Sequence, residues 1–283
     1  MKYFAGIDIG STAIKITIID EERALVGHRI SGSGSMFYKY AHQTLDDLVN
    51  DLNIAKDDIV YTVATGYGRK LFKEADESIS EITANAIGAV AAAKAFGEIK
   101  TIINIGGQDS KVISLDDQGN VVNFAMNDRC AAGTGKFLDA CAMNLEIGVE
   151  ELGERHFRST GTPLSINSTC AVFAESEIIG LLGNNHNVED IVCGVHYSIA
   201  KRIVKLVKRV GVKEGVYFDG GPALNEGLVN AIENELGKKI FIPQYPQITT
   251  SYGAAILGAD SYEYQKMNVV IENLNPYDKS SCS

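Results

Sequence analysis

Apolar residues near the start of the chain alternate as strands do, not as helices do. In GIDIGSTAIKITIID (6–20), isoleucines occupy every second position on either side of a short polar turn, the period of two that paired strands require. An acidic turn at Asp20 leads to a third strand over 24–30. The period then changes. Phe37, Ala41, Leu45, Leu48 and Leu52 recur at helical spacing and predict a helix over 36–52. A strand at 59–65, a short helix near 68–74 and a helix at 80–97 rich in small residues (Ala84, Gly88, Ala92) follow.

The opening pattern returns 96 positions later, where IINIGGQDSKVISLD (102–116) aligns without a gap on 6–20. Gly10 meets Gly106, Lys15 meets Lys111, Asp20 meets Asp116, and Asp8 meets Asn104. A third strand over 120–126 completes the second triple. Helices at 133–146, 171–183 and 190–210 come next, then strand 216–219, helix 224–236, strand 240–242 and helix 251–265. The chain therefore reads as two copies of one α/β unit, with domains expected at 1–97 and 98–283. The last helix also carries small residues (Gly253, Ala254, Gly258), so it is expected to cross back to the first domain. There it would pack closely on the helix at 80–97 and form a hinge. The tail NLNPYDKSSCS is expected to be loose.

Composition narrows the class. The chain is 45% apolar and 22% charged with a net charge of −10, which argues against nonspecific nucleic-acid binding. MKYFAGIDIG runs directly into a strand without a signal-peptide h-region, and no apolar run reaches the ~18 residues of a membrane span. A cytoplasmic protein with neither membrane nor nucleic acid as partner is the expectation. Five cysteines in such a chain point to metal or redox chemistry before disulfides.

Three glycine turns carry candidate chemistry. DIGSTAIK (8–15) and NIGGQDSK (104–111) are strand–turn–strand loops whose backbone N–H groups can approach phosphate oxygens. Neither is a Walker A loop or a dinucleotide fingerprint. In the first, Asp8 would hold a hydrated Mg²⁺ while Lys15, Ser11 and Thr12 contact phosphate. In the second, Gln108 and Asp109 would position the attacking water and the metal. The third, FDGGPALNEG (218–227), is a strand end with a diglycine before a helix, a turn against which adenosine can lie.

Two cysteines stand apart: Cys130 in NDRCAAGTGKF and Cys170 in NSTCAVFAESE, each read as opening a helix. A helix start favours thiolate over thiol. Two thiolates are too few for an iron–sulfur centre, but a symmetric dimer supplies four on its axis. The count alone also permits a [2Fe–2S] centre or a bridging zinc ion. Cys141, aligned with Phe137 and Leu145 on one helix face, and Cys193 read as core residues; Cys282 needs no role. The five histidines show no ligand spacing, so each is expected to be structural or on the surface.

Taken together, the three turns resemble the acetate kinase, sugar kinase, Hsp70 and actin superfamily over nearly the whole length. That resemblance implies a duplicated actin/Hsp70-like (ribonuclease H-like) ATPase fold, with two domains and a nucleotide cleft between them. GIDIGSTAIK, NIGGQDSKVI, NDRCAAGTGKF, STCAVFAESE and FDGGPALN together resemble one branch. It holds the ATP-dependent activators of 2-hydroxyacyl-CoA dehydratases, the ATPase subunits of benzoyl-CoA reductase and the reductases of double-cubane proteins. The resemblance implies a homodimer with one [4Fe–4S] cluster bound by Cys130 and Cys170 of both subunits, together with ATP/ADP and Mg²⁺. It implies ATP-driven transfer of one electron to a separate iron–sulfur dehydratase or reductase, with ferredoxin or flavodoxin as donor. Carried onto the matching motifs, the nucleotide-binding residues are Gly10, Ser11, Thr12, Ala13, Lys15, Gly106, Gly107, Gly133, Thr134, Gly220, Gly221, Ala223, Asn225 and Gln247. The catalytic residues are Asp8, Gln108 and Asp109. A small-molecule (sugar) kinase of the same superfamily is the alternative, and it would be colourless.

Overall fold

The structure is a computed structural model that describes residues 1–127, 132–166 and 171–274, with side chains to 268. In chain order its elements are β1 (Tyr3–Ile9), β2 (Ala13–Ile19), β3 (Leu25–Gly32), α1 (Phe37–Leu52), β4 (Ile59–Thr65), β5 (Glu77–Ser78) and α2 (Glu81–Ala93). Then come β6 (Thr101–Ile105), β7 (Ser110–Leu115), β8 (Val121–Asn127), α3 (Gly135–Asn144), α4 (Leu152–Phe157), α5 (Ala171–Gly183) and α6 (Val188–Val210). The chain closes with β9 (Val216–Asp219), α7 (Glu226–Leu236), β10 (Ile240–Phe241) and α8 (Thr249–Leu274).

By its contacts the chain divides into two compact units, Met1–Gly88 with Thr250–Ser283 and Ala89–Thr249. The division falls inside α2, earlier than the boundary read after residue 97. The first sheet runs β3-β2-β1-β4-β5 and the second, read in the matching direction, β8-β7-β6-β9-β10. In each, the central strand pairs antiparallel with its hairpin partner and parallel with the strand that returns after a helix. One topology is thus built twice.

In the first unit Ala5, Ile7 and Ile9 of β1 and Ile14, Ile16 and Ile18 of β2 form one apolar face against Ala41, Leu45, Leu48 and Val49 of α1. Each of the isoleucine, leucine and valine side chains contributes about 1.5–3 kcal/mol on full burial. Helix α1 stops where Asn53 turns left-handed and its N–H bonds to the Asn50 carbonyl, a conformation asparagine tolerates. On the opposite face of the sheet, Thr17 Oγ1 lies 2.7 Å from Ser251 Oγ of α8. Helices α8 and α2 meet at bare backbone: a Cβ on Gly253 would fall 1.8 Å from the Ala84 carbonyl oxygen. The close approach of these two small-residue helices was legible in their composition.

In the second unit Ile103, Ile105, Val112 and Phe218 pack against Val195, Ile199 and Ile203 of α6, Phe137 of α3, and Leu228 and Ile232 of α7. The side chain of Asn187 caps α6 by accepting the Glu189 N–H.

Several boundaries differ from the reading of the sequence. Residues 68–74 form only a 3₁₀ turn at Arg69–Leu71, and α2 ends at Ala93 in a turn closed by Phe96 N–H to the Ala93 carbonyl. Helix α8 continues past 265 because backbone bonding persists where its apolar pattern lapses; Tyr264 and Met267 are exposed. Among the described residues no helix is long and apolar enough to cross a membrane.

Candidate functional site

The first loop joins β1 to β2. It closes with the Gly10 N–H bonded to the Ala13 carbonyl at 3.1 Å, which leaves the N–H groups of Ser11 and Thr12 without a backbone acceptor among the described residues. Ser33 braces the loop from β3's end, its hydroxyl donating to the Gly10 carbonyl at 2.6 Å. Register places Asp8 opposite Lys15, and Lys15 Nζ lies 3.1 Å from Asp8 Oδ2. Asp8 is buried at 7% exposure, and Gly66 closes over it with a φ of +84°. A Cβ on Gly66 would stand 2.4 Å from Asp8 Oδ1. Among the described residues no three His, Cys, Asp or Glu side chains group as metal ligands. A lone, lysine-paired carboxylate fits an ion reached through water better than one held directly.

The second loop repeats this plan between β6 and β7. Gly106 N–H bonds to the Asp109 carbonyl at 2.9 Å. Lys111, 5% exposed, donates to Asp109 Oδ1 at 2.8 Å and to Asn104 Oδ1 at 3.4 Å. Gln108 projects at the exposed tip. The loop is tied to a helix: the carbonyls of Gly106 and Gly107 accept the N–H groups of Gly135 and Lys136, each at 2.9 Å. These are first-turn donors of α3, groups that a helix cannot satisfy internally. Ser110 Oγ donates to the Gly133 carbonyl, and Thr134, next along, is fully buried. Gly106, Gly107, Asp109, Gly133 and Thr134 therefore come together as one cluster.

The third turn follows β9. Gly220 N–H bonds to the Pro246 carbonyl at 2.8 Å, and the Gln247 amide reaches within 3.6 Å of where a Cβ on Gly221 would stand. Ala223 is buried, and Asn225 caps α7 by accepting the Leu228 N–H at 2.9 Å. Behind it lies a histidine pair. Asn225 Nδ2 faces His196 Nε2 at 3.0 Å, His196 Nδ1 faces His156 Nδ1 at 3.1 Å, and His156 Nε2 faces Asn230 Oδ1 at 3.3 Å. With Asn225 as donor, this chain closes only if both imidazoles are neutral. Burial, reinforced by His156, pushes the pKa of His196 down to about 3.

Cys130 and Cys170 lie outside the described residues, as does the tail with Cys282. The helices that follow them, α3 and α5, pack together through Phe137, Leu138, Ala174 and Ile178. Cys141 and Cys193 are buried core residues, and burial raises both thiol pKa values.

Sequence reasoning missed Ser33, Gly66 and Asp219. Ser33 sits in a serine- and glycine-rich stretch that reads as a plain loop, and Gly66 is a single glycine after a strand. Asp219 lies inside the FDGG motif, where the diglycine alone carries the sequence signal. A surface cavity of about 590 Å³ in the first unit, lined by Met36, Phe37, Tyr38 and Leu71, contains none of the loop residues.

Comparison with known proteins agrees with this geometry. The model of the BadF/BadG/BcrA/BcrD ATPase family matches residues 5–258. Over 267 residues the chain is 43% identical to the 2-hydroxyisocaproyl-CoA dehydratase activator of Clostridioides difficile, covering 94% of this chain and 98% of that protein. It is 39% identical over 265 residues to the (R)-2-hydroxyglutaryl-CoA dehydratase activating ATPase of Acidaminococcus fermentans, covering 93% and 98%. The solved structure of the C. difficile activator with bound ADPNP superposes with a TM-score of 0.88 at 43% identity, covering 94% of this chain and 97% of that one. The fold is the duplicated actin/Hsp70-like ATPase fold. The chain belongs to the BadF/BadG/BcrA/BcrD ATPase family.

Proposed function

We propose that the protein is an ATP-hydrolysing electron-transfer protein. It works as a homodimer, with Cys130 and Cys170 of each subunit holding one [4Fe–4S] cluster. The electron acceptor is a separate iron–sulfur dehydratase or reductase, and ferredoxin or flavodoxin is the donor. Relatives that match along nearly their whole length are named as dehydratase activators, which supports this class of acceptor. When bound, the cluster supplies a one-electron centre.

The observation that carries the reading is the hydrogen-bonded seam between the second loop and α3. Gly106 and Gly107 hold the N–H groups of Gly135 and Lys136, and α3 begins five residues after Cys130. A change in the loop on nucleotide turnover is thereby passed by backbone bonds to the segment that carries the cysteine. The need for such coupling is energetic. Each ~59 mV on a one-electron couple corresponds to about 1.4 kcal/mol. Raising an electron by roughly 300 mV therefore requires on the order of 7 kcal/mol, work that nucleotide turnover can deliver repeatedly.

Each residue then has a task. Asp8 would hold Mg²⁺ through water, and Lys15 and the Ser11 and Thr12 groups would receive phosphate. Gln108 and Asp109 would position the attacking water and the metal. The turn from Gly220 to Asn225, with Gln247, seats the adenosine.

The test is anaerobic purification with iron and sulfide analysis and EPR recorded with and without Mg-ATP. The expected result is about four irons per dimer and a signal that responds to nucleotide. Cys130→Ser should abolish the iron while leaving nucleotide binding measurable; a full iron complement in that variant would overturn the assignment. A colourless wild-type protein with sugar-dependent ATP turnover would favour the kinase alternative.

A further inference from the structure

The two halves solve the same problem with their carboxylates exchanged. In the first unit the carboxylate stands on the central strand: Asp8 of β1 lies opposite Lys15 on one side and Thr65 of β4 on the other. In the second unit the equivalent positions are Asn104 of β6, Lys111 and Asp219 of β9. The central residue has become an amide and the neighbouring residue has become the acid. Asp219 is fully buried and accepts a hydrogen bond from Asn104 Nδ2. That bond orients the amide, because Nδ2 is committed to Asp219 and Oδ1 must then face Lys111 Nζ at 3.4 Å. Lys111 in turn holds Asp109 Oδ1 at 2.8 Å.

We infer that Asp219 is a positioning residue for nucleotide hydrolysis, holding Lys111 and Asp109 in register through Asn104, and that it replaces the carboxylate which Asp8 supplies in the first unit. This rests on the reading of the second loop as the place where the attacking water is aligned. Without the Asp219 acceptor the Asn104 amide is free to rotate and turn its NH₂ towards the Lys111 ammonium. That would release the lysine and, with it, Asp109. Because Asp109 acts at the phosphate end, on the attacking water and the metal, and not on adenosine, the effect should fall on kcat more than on KM for ATP.

Three variants decide the matter in the full-length protein: D219T, N104D and the double variant N104D/D219T, which rebuilds the first unit's arrangement in the second. D219T should lower kcat about tenfold or more, the scale of a lost charged hydrogen bond, with KM for ATP within about threefold. N104D sets a second carboxylate beside a buried one and should also be impaired. The double variant should recover most of the wild-type kcat, which a merely structural role for Asp219 would not produce. Losses that multiply in the double variant, or a D219T kcat within about twofold of wild type, would overturn the inference. If D219T does not fold, N104D/D219T must still exceed N104D in kcat, and failure to do so has the same meaning. A wild-type protein without ATP hydrolysis would instead defeat the functional reading itself.

Discussion

Lys15 Nζ lies 3.1 Å from Asp8 Oδ2, seven residues away in sequence but directly across the β1–β2 ladder. The pair is largely withdrawn from water, so each charge is held in place by the other and the hairpin cannot change register without separating them. Asp8→Asn keeps the shape and an acceptor for Lys15 but removes the negative charge that the proposed Mg²⁺ site would require. Hydrolysis should fall by about a hundredfold, the scale of one lost electrostatic contact to reacting groups, and the thermal midpoint should fall too, because Lys15 keeps an amide acceptor but loses its counter-charge. Steady-state rates over a Mg²⁺ titration check this; unchanged turnover would remove Asp8 from the machinery.

Gly66→Ala tests the closure over Asp8. Its φ of +84° disfavours any side chain, and the added carbon would meet Asp8 Oδ1 at 2.4 Å. Gly237 provides the comparison, with a φ of +66° and open space around it. Gly237→Ala should cost about 1 kcal/mol from backbone strain alone. Gly66→Ala should cost visibly more and slow hydrolysis as well. Equal urea midpoints for the two variants would contradict the packing described.

The histidine pair predicts acid sensitivity. His196 has a native pKa near 3 against 6.5 for a free imidazole, and burial lowers that of His156 as well. Between those values the unfolded chain binds protons that the native state refuses, so stability present above pH 6.5 is lost as pH falls. The slope per refused proton approaches about 1.4 kcal/mol per pH unit. Urea unfolding at pH 7.5 and 5.5 should show the decline, and His196→Asn should flatten it. An unchanged slope in that variant would rule out His196 as its source.

Cys141 and Cys193 should resist modification. Both are buried with raised thiol pKa values, and a buried thiol offers little thiolate to an alkylating reagent. Iodoacetamide applied to the native protein, followed by peptide mass spectrometry, should leave both unmodified, and prior unfolding should expose them. Rapid native labelling of Cys141 would refute its place on the buried face of α3.

Much of the architecture was legible because it is written twice. The match of 6–20 on 102–116 anticipated the repeated strand order, and β4, α5 and β9 fall where periodicity put them. Helix α4 escaped because six residues are too few to display a period, and β5 because it is a two-residue edge. The loops were legible as glycine-bearing turns, and Lys15 and Lys111 as their shared cations. What could not be read was the other side of each cradle. Gly66 reaches Asp8 through the parallel β1–β4 pairing, and Asp219 reaches Asn104 from 115 residues away. Nothing local marks either residue, since parallel neighbours are brought together by a crossover and not by a turn.

Two near-equal cradles in one polypeptide amount to a built-in comparator. A substitution at Lys15 and its twin at Lys111 pose the same chemical question in a single molecule, at one concentration and against one background. Any difference in outcome then isolates what the exchange of acid and amide has done. Few experiments on separate homologues can be matched so closely.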